Sequence, residues 1–207
     1  MVLFLFAKHG VFIVIDGIDG SGKTTHSRRL CDLLRRKGFD TIYTMEPSKG
    51  RIGMFIRDEV INKGKTSPEV EALLFAADRF EHLNFEILPL LNKGKIVISD
   101  RYLYASIAYQ GAQSIDLKWI DELNYFALKP DLAIYLDVSS ELGLARKEST
   151  KSVFENLELQ KKVRGIYLDL VKKGRLILVD GTRRIEEVDK TILSLALQTI
   201  KDKSSKS

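Results

Sequence analysis

The sequence is poor in cysteine, in proline and in long apolar runs, and each shortage closes off a class of protein. Cys31 is its only cysteine, so no disulfide can form within the chain and no cysteine cluster can hold zinc. A lone thiol suits a reducing compartment, and a cytoplasmic location is expected. Only four of the 207 residues are proline, and neither a Pro/Ser-rich linker nor an internal repeat is visible, so one domain over residues 1–207 is expected. The early apolar run at residues 2–7 is too short to cross a bilayer and lacks a small-residue cleavage site, which argues against a membrane partner or an export signal. Excess charge is also scarce. The formal net charge is +5, of which +2 lies in residues 201–207 (Lys201, Lys203 and Lys206 against Asp202), leaving +3 for the body. That is little for a nucleic acid polymer, and it fits a small anion or simply a solvated lysine-rich surface.

What is present is a repeated α/β grammar. Residues 11–15 form a short continuous apolar run that ends in a Gly-rich turn, as a strand buried on both faces does. Leu30, Leu33 and Leu34 then recur at helical spacing until Gly38, a helix stop. Residues 41–45, 96–99, 132–138 and 176–179 read as further buried strands with helical segments between them. Five such strands predict a parallel sheet flanked by helices on both faces. Ser67 followed by Pro68 predicts a helix start, with the helix running to about Leu88. Residues 145–153 are polar and basic and read as a loop, while residues 1–9 and the tail from Lys201 are expected to be frayed.

Gly17-Ile18-Asp19-Gly20-Ser21-Gly22-Lys23-Thr24 fits the G-x-x-x-x-G-K-[ST] pattern between a strand and a helix. Glycines there let consecutive backbone N–H groups turn inward, the following helix offers its positive end, Lys23 reaches the β- and γ-phosphates, and the Thr24 hydroxyl can ligate Mg²⁺. The motif implies nucleotide binding but does not name an acceptor, because ATPases, GTPases and kinases share it.

Further pieces follow in order: Glu46-Pro47, Ile52-Gly53 with Arg57, Leu73-Leu74-Phe75-Ala76-Ala77-Asp78-Arg79, Asp100-Arg101-Tyr102 and Ala108-Tyr109-Gln110. With these pieces the chain resembles the thymidylate kinases from about residue 10 to about residue 197. The resemblance implies a P-loop kinase fold with a short lid, a homodimer, ATP as phosphoryl donor with Mg²⁺, and thymidine 5′-monophosphate as acceptor. It gives the nucleotide phosphates to residues 17–24 with Thr25, and the metal to Thr24 and Asp100. Arg101 would bridge donor and acceptor phosphates, and Asp19 would accept from the acceptor's 3′-hydroxyl. Arg57, with Lys49, would grip the acceptor phosphate. Phe75 would stack on the base and Arg79 would meet O4. Tyr109 would pack beneath the deoxyribose and Gln110 would bond to the base edge. On composition alone Phe75 and Tyr109 also suit the core, Lys49 an ordinary surface, and Asp100 with Arg101 a structural ion pair.

Three positions depart from the family pattern. Ala105 stands where serine is usual, with Ser106 after it, and Met45 stands where many relatives carry arginine. Gly20 occupies the place of a P-loop arginine found in one branch, so transition-state charge falls to the lid residues Arg146, Lys147 and Lys151, with Arg146 alternatively flat against the adenine. Gly181-Thr182-Arg183-Arg184 would border that base or serve as a helix-entry turn. Two rival readings stay open at this level: a deoxynucleoside kinase with Glu46 as general base, and a P-loop binding module without transfer activity.

Overall fold

The computed structural model describes residues 10–63, 66–146 and 156–205. The apolar runs become β1 (Val11–Asp16), β2 (Thr41–Met45), β3 (Ile96–Asp100), β4 (Leu132–Asp137) and β5 (Ile177–Asp180). They pair in the order β2-β3-β1-β4-β5, and every pairing is parallel, the parallel five-stranded sheet being what the sequence predicts. Alternate β1 residues supply opposite cores: Phe12 and Val14 face one side, Val11, Ile13 and Ile15 the other. Burial on both faces is why the strand reads as an unbroken apolar run.

The helices are α1 (Lys23–Arg36), α2 (Arg51–Phe55), α3 (Pro68–His82), α4 (Leu88–Asn92), α5 (Leu103–Ala112), α6 (Leu117–Leu123), α7 (Ser140–Ala145), α8 (Leu157–Lys172) and α9 (Ile185–Ser204). On one face of the sheet, Leu30 and Leu34 of α1 pack with Val188 and Ile192 of α9. The other face is covered from α5 by Ile107 and Ala108, from α8 by Val163 and Tyr167, and from the α3–α4 arm by Leu83, Ile87 and Leu91. None of the described helices is long and apolar enough to cross a membrane.

Two boundaries differ from expectation. The helix from Ser67 does not stop near Leu88: after α3 it widens to π pitch over Leu83–Ile87 and continues as α4 to Asn92. Pro89 cannot donate and its ring crowds the preceding turn, so a change of hydrogen-bond pattern just before it keeps the rod intact. The tail from Lys201 is helical to Ser204, and Lys203 Nζ donates to Gly10 O at 2.7 Å and to Asp131 at 2.6 Å.

α3 inverts the usual amphipathic rule. Glu71, Asp78, Arg79 and His82 face inward, Arg79 with 1% of its surface exposed, whereas Leu73 and Phe80 on the opposite side are 49% and 54% exposed.

Candidate functional site

β1, β3, β4 and β5 each end on an aspartate, and in register Ile15 faces Asp100 while Asp137 faces Asp180. The sheet therefore lifts Asp16, Asp100, Asp137 and Asp180 along its carboxyl edge, where open α/β sheets bind ligands. Asp16 is wholly buried, takes hydrogen bonds from Tyr167 Oη (2.6 Å), Gly17 N and Tyr102 N, and has its pKa raised by desolvation against the opposing charges of Arg101 and Lys23. It anchors both the Gly-rich turn after β1 and the turn after β3.

In the first turn, Gly20 has φ 73° and Gly22 φ 92°. A β-carbon on Gly20 would lie 1.9 Å from the Gly143 carbonyl oxygen of α7. Glycine is thus required at position 20 twice over, by its left-handed backbone and by α7 resting on the loop. Ile18 and Ser21 are buried inside the turn, and Thr25 is exposed on the helix that follows.

Lys23, Asp19, Arg101 and Tyr109 converge over this turn. Lys23 Nζ donates to Ile18 O at 3.2 Å and lies 3.6 Å from Asp19 Oδ1, to which Arg101 is also ion-paired. The Tyr109 hydroxyl stands 3.3 Å from the same oxygen, and the Arg101 guanidinium lies 4.9 Å over the Tyr109 ring. Arg101 has φ 73°, held by Arg101 N donating to Ile15 O and Ser99 Oγ donating to Arg101 O. A side chain kept in that strained region marks a site that fixes its direction. Burial, then the neighbouring Arg101, lowers the Lys23 pKa. Burial opposes the charge on Arg101 as well, yet Tyr109 and Asp19 outweigh it and raise its pKa. Burial pushes the Tyr109 phenol up to about 12.

Beside these cations the Thr24 hydroxyl donates to Asp100 Oδ2 at 2.5 Å, while the buried Asp100 Oδ1 has no hydrogen-bond partner. A hydroxyl and an orphaned carboxylate oxygen form a hard-oxygen corner that suits Mg²⁺. Among the described residues no group of three His, Cys, Asp or Glu side chains could hold a metal by itself, so such an ion would rely on phosphate oxygens and water.

A second set of polar side chains meets between α3 and α5. Glu71, Phe75 and Arg79 follow at four-residue intervals on α3, and Ser106 and Gln110 share one face of α5, with Gln113 at its C-cap. Arg79 Nη2 donates to Ser106 Oγ at 3.0 Å, and Gln113 Nε2 donates to Glu71 Oε2 at 3.1 Å. These ties set the two rows antiparallel, with Gln110 level with half-buried Phe75. Arg79 also pairs with Glu46 Oε2 (2.7 Å), donates to Asn124 Oδ1 (2.5 Å) and lies over the Tyr102 ring. Two buried atoms of these side chains remain unpaired: the donor Arg79 Nε and the acceptor Gln110 Oε1.

The remaining sequence-predicted residues lie outward. Arg57 donates to the carbonyls of Pro47 and Ser48 and so braces the loop after β2, where Lys49 is exposed. Arg146 caps α7 and donates to Gly181 O at 3.3 Å, which brings it to the segment after β5. Arg183 pairs with Asp180. Lys147 and Lys151, and most of the lid at 145–153, lie outside the described residues. The hydroxyl absent at Ala105 is supplied one position later, since Ser106 accepts from Arg79. Sequence reading missed Glu71, Asn124 and His82, which meet Gln113, Arg79 and Glu46. The available signal was weak: Glu71 and His82 fall on the α3 face of Phe75 and Arg79.

A family model described as Thymidylate kinase matches residues 15–192. The chain is 44% identical over 197 residues to a probable thymidylate kinase of Thermococcus onnurineus, covering 89% of this chain and 96% of that one. It is 43% identical over 195 residues to a probable thymidylate kinase of Pyrococcus abyssi, covering 90% and 95%. It is also 41% identical over 184 residues to one of Methanocaldococcus jannaschii, covering 88% and 94%.

Proposed function

The chain belongs to the thymidylate kinase family, and from that premise we propose that it transfers the γ-phosphoryl group of ATP to thymidine 5′-monophosphate, giving the diphosphate and ADP. The observation that carries the acceptor is the orphaned pair between α3 and α5. Arg79 Nε is an unmet donor and Gln110 Oε1 an unmet acceptor. A thymine edge offers a carbonyl at C4 and an N3–H donor, which complement them; cytosine offers an amino donor and a ring-nitrogen acceptor, which do not. Buried polar atoms without partners are costly, so matching both favours one base over the other.

The acceptor needs no general base, because the second pKa of a phosphate monoester is about 6 and its oxygen is already nucleophilic at neutral pH. The protein has to overcome repulsion between two anions, align them and exclude water. Lys23 and Arg101, both paired with Asp19, meet the first need, and Gly17–Thr24 with Thr25 cradle the donor phosphates. Thr24 and Asp100 would hold Mg²⁺, which supplies further charge neutralisation when bound. Phe75 stacks the base, Tyr109 lies beneath the sugar, and Arg57, hydrogen-bonded to the loop after β2, serves the acceptor phosphate with Lys49 of that loop. Arg146, Lys147 and Lys151 would supply the remaining positive charge to the transferring phosphoryl group, with Arg146 on the adenine side near Gly181. The competing role of Glu46 as base for a nucleoside hydroxyl is disfavoured, since its carboxylate is buried against Arg79 and His82.

The rest of the reading follows the family: one domain, cytoplasmic, working as a homodimer. The exposed stripe Leu73, Ala77 and Phe80 on α3, with Met54 and Phe55 of α2, supports association of two copies. An ADP-release assay with each ribo- and deoxyribonucleoside monophosphate, and with thymidine, tests the function. Turnover is expected with thymidine 5′-monophosphate and not with thymidine; turnover with thymidine alone, or none with any monophosphate, overturns it.

A further inference from the structure

Gln110 is a carboxamide, and nothing in its own chemistry decides whether oxygen or nitrogen faces the base slot. Its neighbours decide. Glu71, one turn before Phe75 on α3, is 4% exposed, receives hydrogen bonds from Gln113 (3.1 Å) and Thr66 (3.5 Å), and has the Gln110 side chain as its other polar neighbour. A carboxylate only accepts, so the Gln110 group that turns to it is the amide nitrogen. The oxygen is left over, and Gln110 Oε1 is the atom found buried and unpaired. Thr66 and Gln113 bind the two different carboxylate oxygens, so the carboxylate cannot swing away to release the amide.

We propose that Glu71 is a specificity-determining positioning residue: by holding the Gln110 amide nitrogen, it fixes an acceptor oxygen toward the base, so the slot takes bases with an N3–H and rejects those whose N3 accepts. This rests on the assignment of Phe75, Arg79 and Gln110 to the base. Glu71 itself touches no substrate. It lies at the end of the slot away from Arg79, eight residues or about 12 Å along the helix. Base polarity is thereby set from two ends, a donor at Arg79 and an acceptor behind which Glu71 stands.

The test is Glu71→Gln, which keeps the shape but can present either a carbonyl or an amide to Gln110. Steady-state constants would be measured with the 5′-monophosphates of thymidine, deoxyuridine, deoxycytidine and N3-methylthymidine. The KM for thymidine 5′-monophosphate should rise about 10-fold, and its preference over the deoxycytidine nucleotide should narrow roughly 10- to 100-fold, the range for losing one well-placed base-edge bond. The penalty for N3-methylation should shrink in parallel. The deoxyuridine nucleotide, sharing the same N3–H, should follow thymidine, while the KM for ATP and the kcat at saturation stay near wild type. An unchanged preference in folded Glu71→Gln, or a fall in kcat with the acceptor KM untouched, overturns the proposal. Gln110→Ala separates the two levels: if it abolishes the preference and Glu71→Gln does not, only the role of Glu71 falls. If Gln110→Ala also leaves the preference intact, the base slot itself is misassigned. Should Glu71→Gln not fold, Gln113→Leu frees one anchor of the carboxylate while leaving Gln110 in place. It must narrow the preference in the same direction by a smaller factor, and no narrowing counts against the proposal.

Discussion

Glu46 lies between Arg79 and His82. Arg79 holds one carboxylate oxygen at 2.7 Å and His82 Nδ1 stands 3.3 Å from the other, while His82 Nε2 meets Thr44 Oγ1 at 2.7 Å and lies 3.6 Å from Glu86. Burial by itself lowers the imidazole pKa, but the hydrogen bond and charge of Glu46, with Glu86 and Asp78, outweigh it and raise the value above the ordinary 6.5. A raised native pKa gives stability that is fully present below the unfolded value and lost as pH rises through the native one. His82→Gln should therefore cost about 1.5–3 kcal/mol at pH 6, the range for a hydrogen bond to a charged group, and less at pH 9. Denaturant midpoints of both proteins at the two pH values check this; an equal gap at both contradicts it. The residues carrying this network were only partly legible. Lys23, Arg79, Asp100 and Arg101 announce themselves because they sit in ordered motifs. His82, Glu71 and Asn124 do not, because their partners lie on elements that meet only when α3 packs against β2, α5 and α6.

At the scale of elements, the strands were the clearest part of the sequence, since burial on both faces forces apolar runs bounded by turns. Helix ends were less clear. The helix from Ser67 reads as ending at about Leu88, yet the rod runs on by changing pitch, and the tail from Lys201 reads as fraying, yet Lys203 ties α9 to the start of β1. Least legible was the seat of α7 on the Gly-rich turn after β1, because a glycine-to-glycine approach leaves no pattern beyond two glycines far apart. A β-carbon at Gly143 would stand 2.6 Å from Asp19 O and 3.1 Å from Ile18 Cδ1. Gly143→Ala should push the loop and α7 apart at a cost of about 1–3 kcal/mol, the range for overpacking. It should raise the KM for ATP more than that for the acceptor, and lower the melting temperature. Kinetics with each nucleotide varied in turn, alongside calorimetry, measure both, and equal changes in the two KM values would contradict the loop displacement.

At the scale of the whole molecule, two layers of helices on one sheet leave the carboxyl edge free for nucleotides and the outer side of α3 free for a partner. If that side joins two copies, Leu73→Glu together with Phe80→Glu should convert a dimer to a monomer at micromolar concentration by sedimentation velocity, while the far-ultraviolet circular dichroism is kept. A double variant that remains dimeric moves the interface elsewhere. The sequence could not have revealed which side of this helix turns inward, because the hydrophobic rule points the wrong way and only the buried partners of Arg79, Asp78 and His82 decide it.

That inversion changes how tolerance to substitution should be read along this stretch. On most helices leucine and phenylalanine are the residues an engineer leaves alone, and acids, bases and amides are the ones exchanged freely for solubility or crystallisation. On α3 the customary choice would strip the interior of its counter-ions, whereas the greasy positions are the ones a solitary protomer can surrender without loss of its interior.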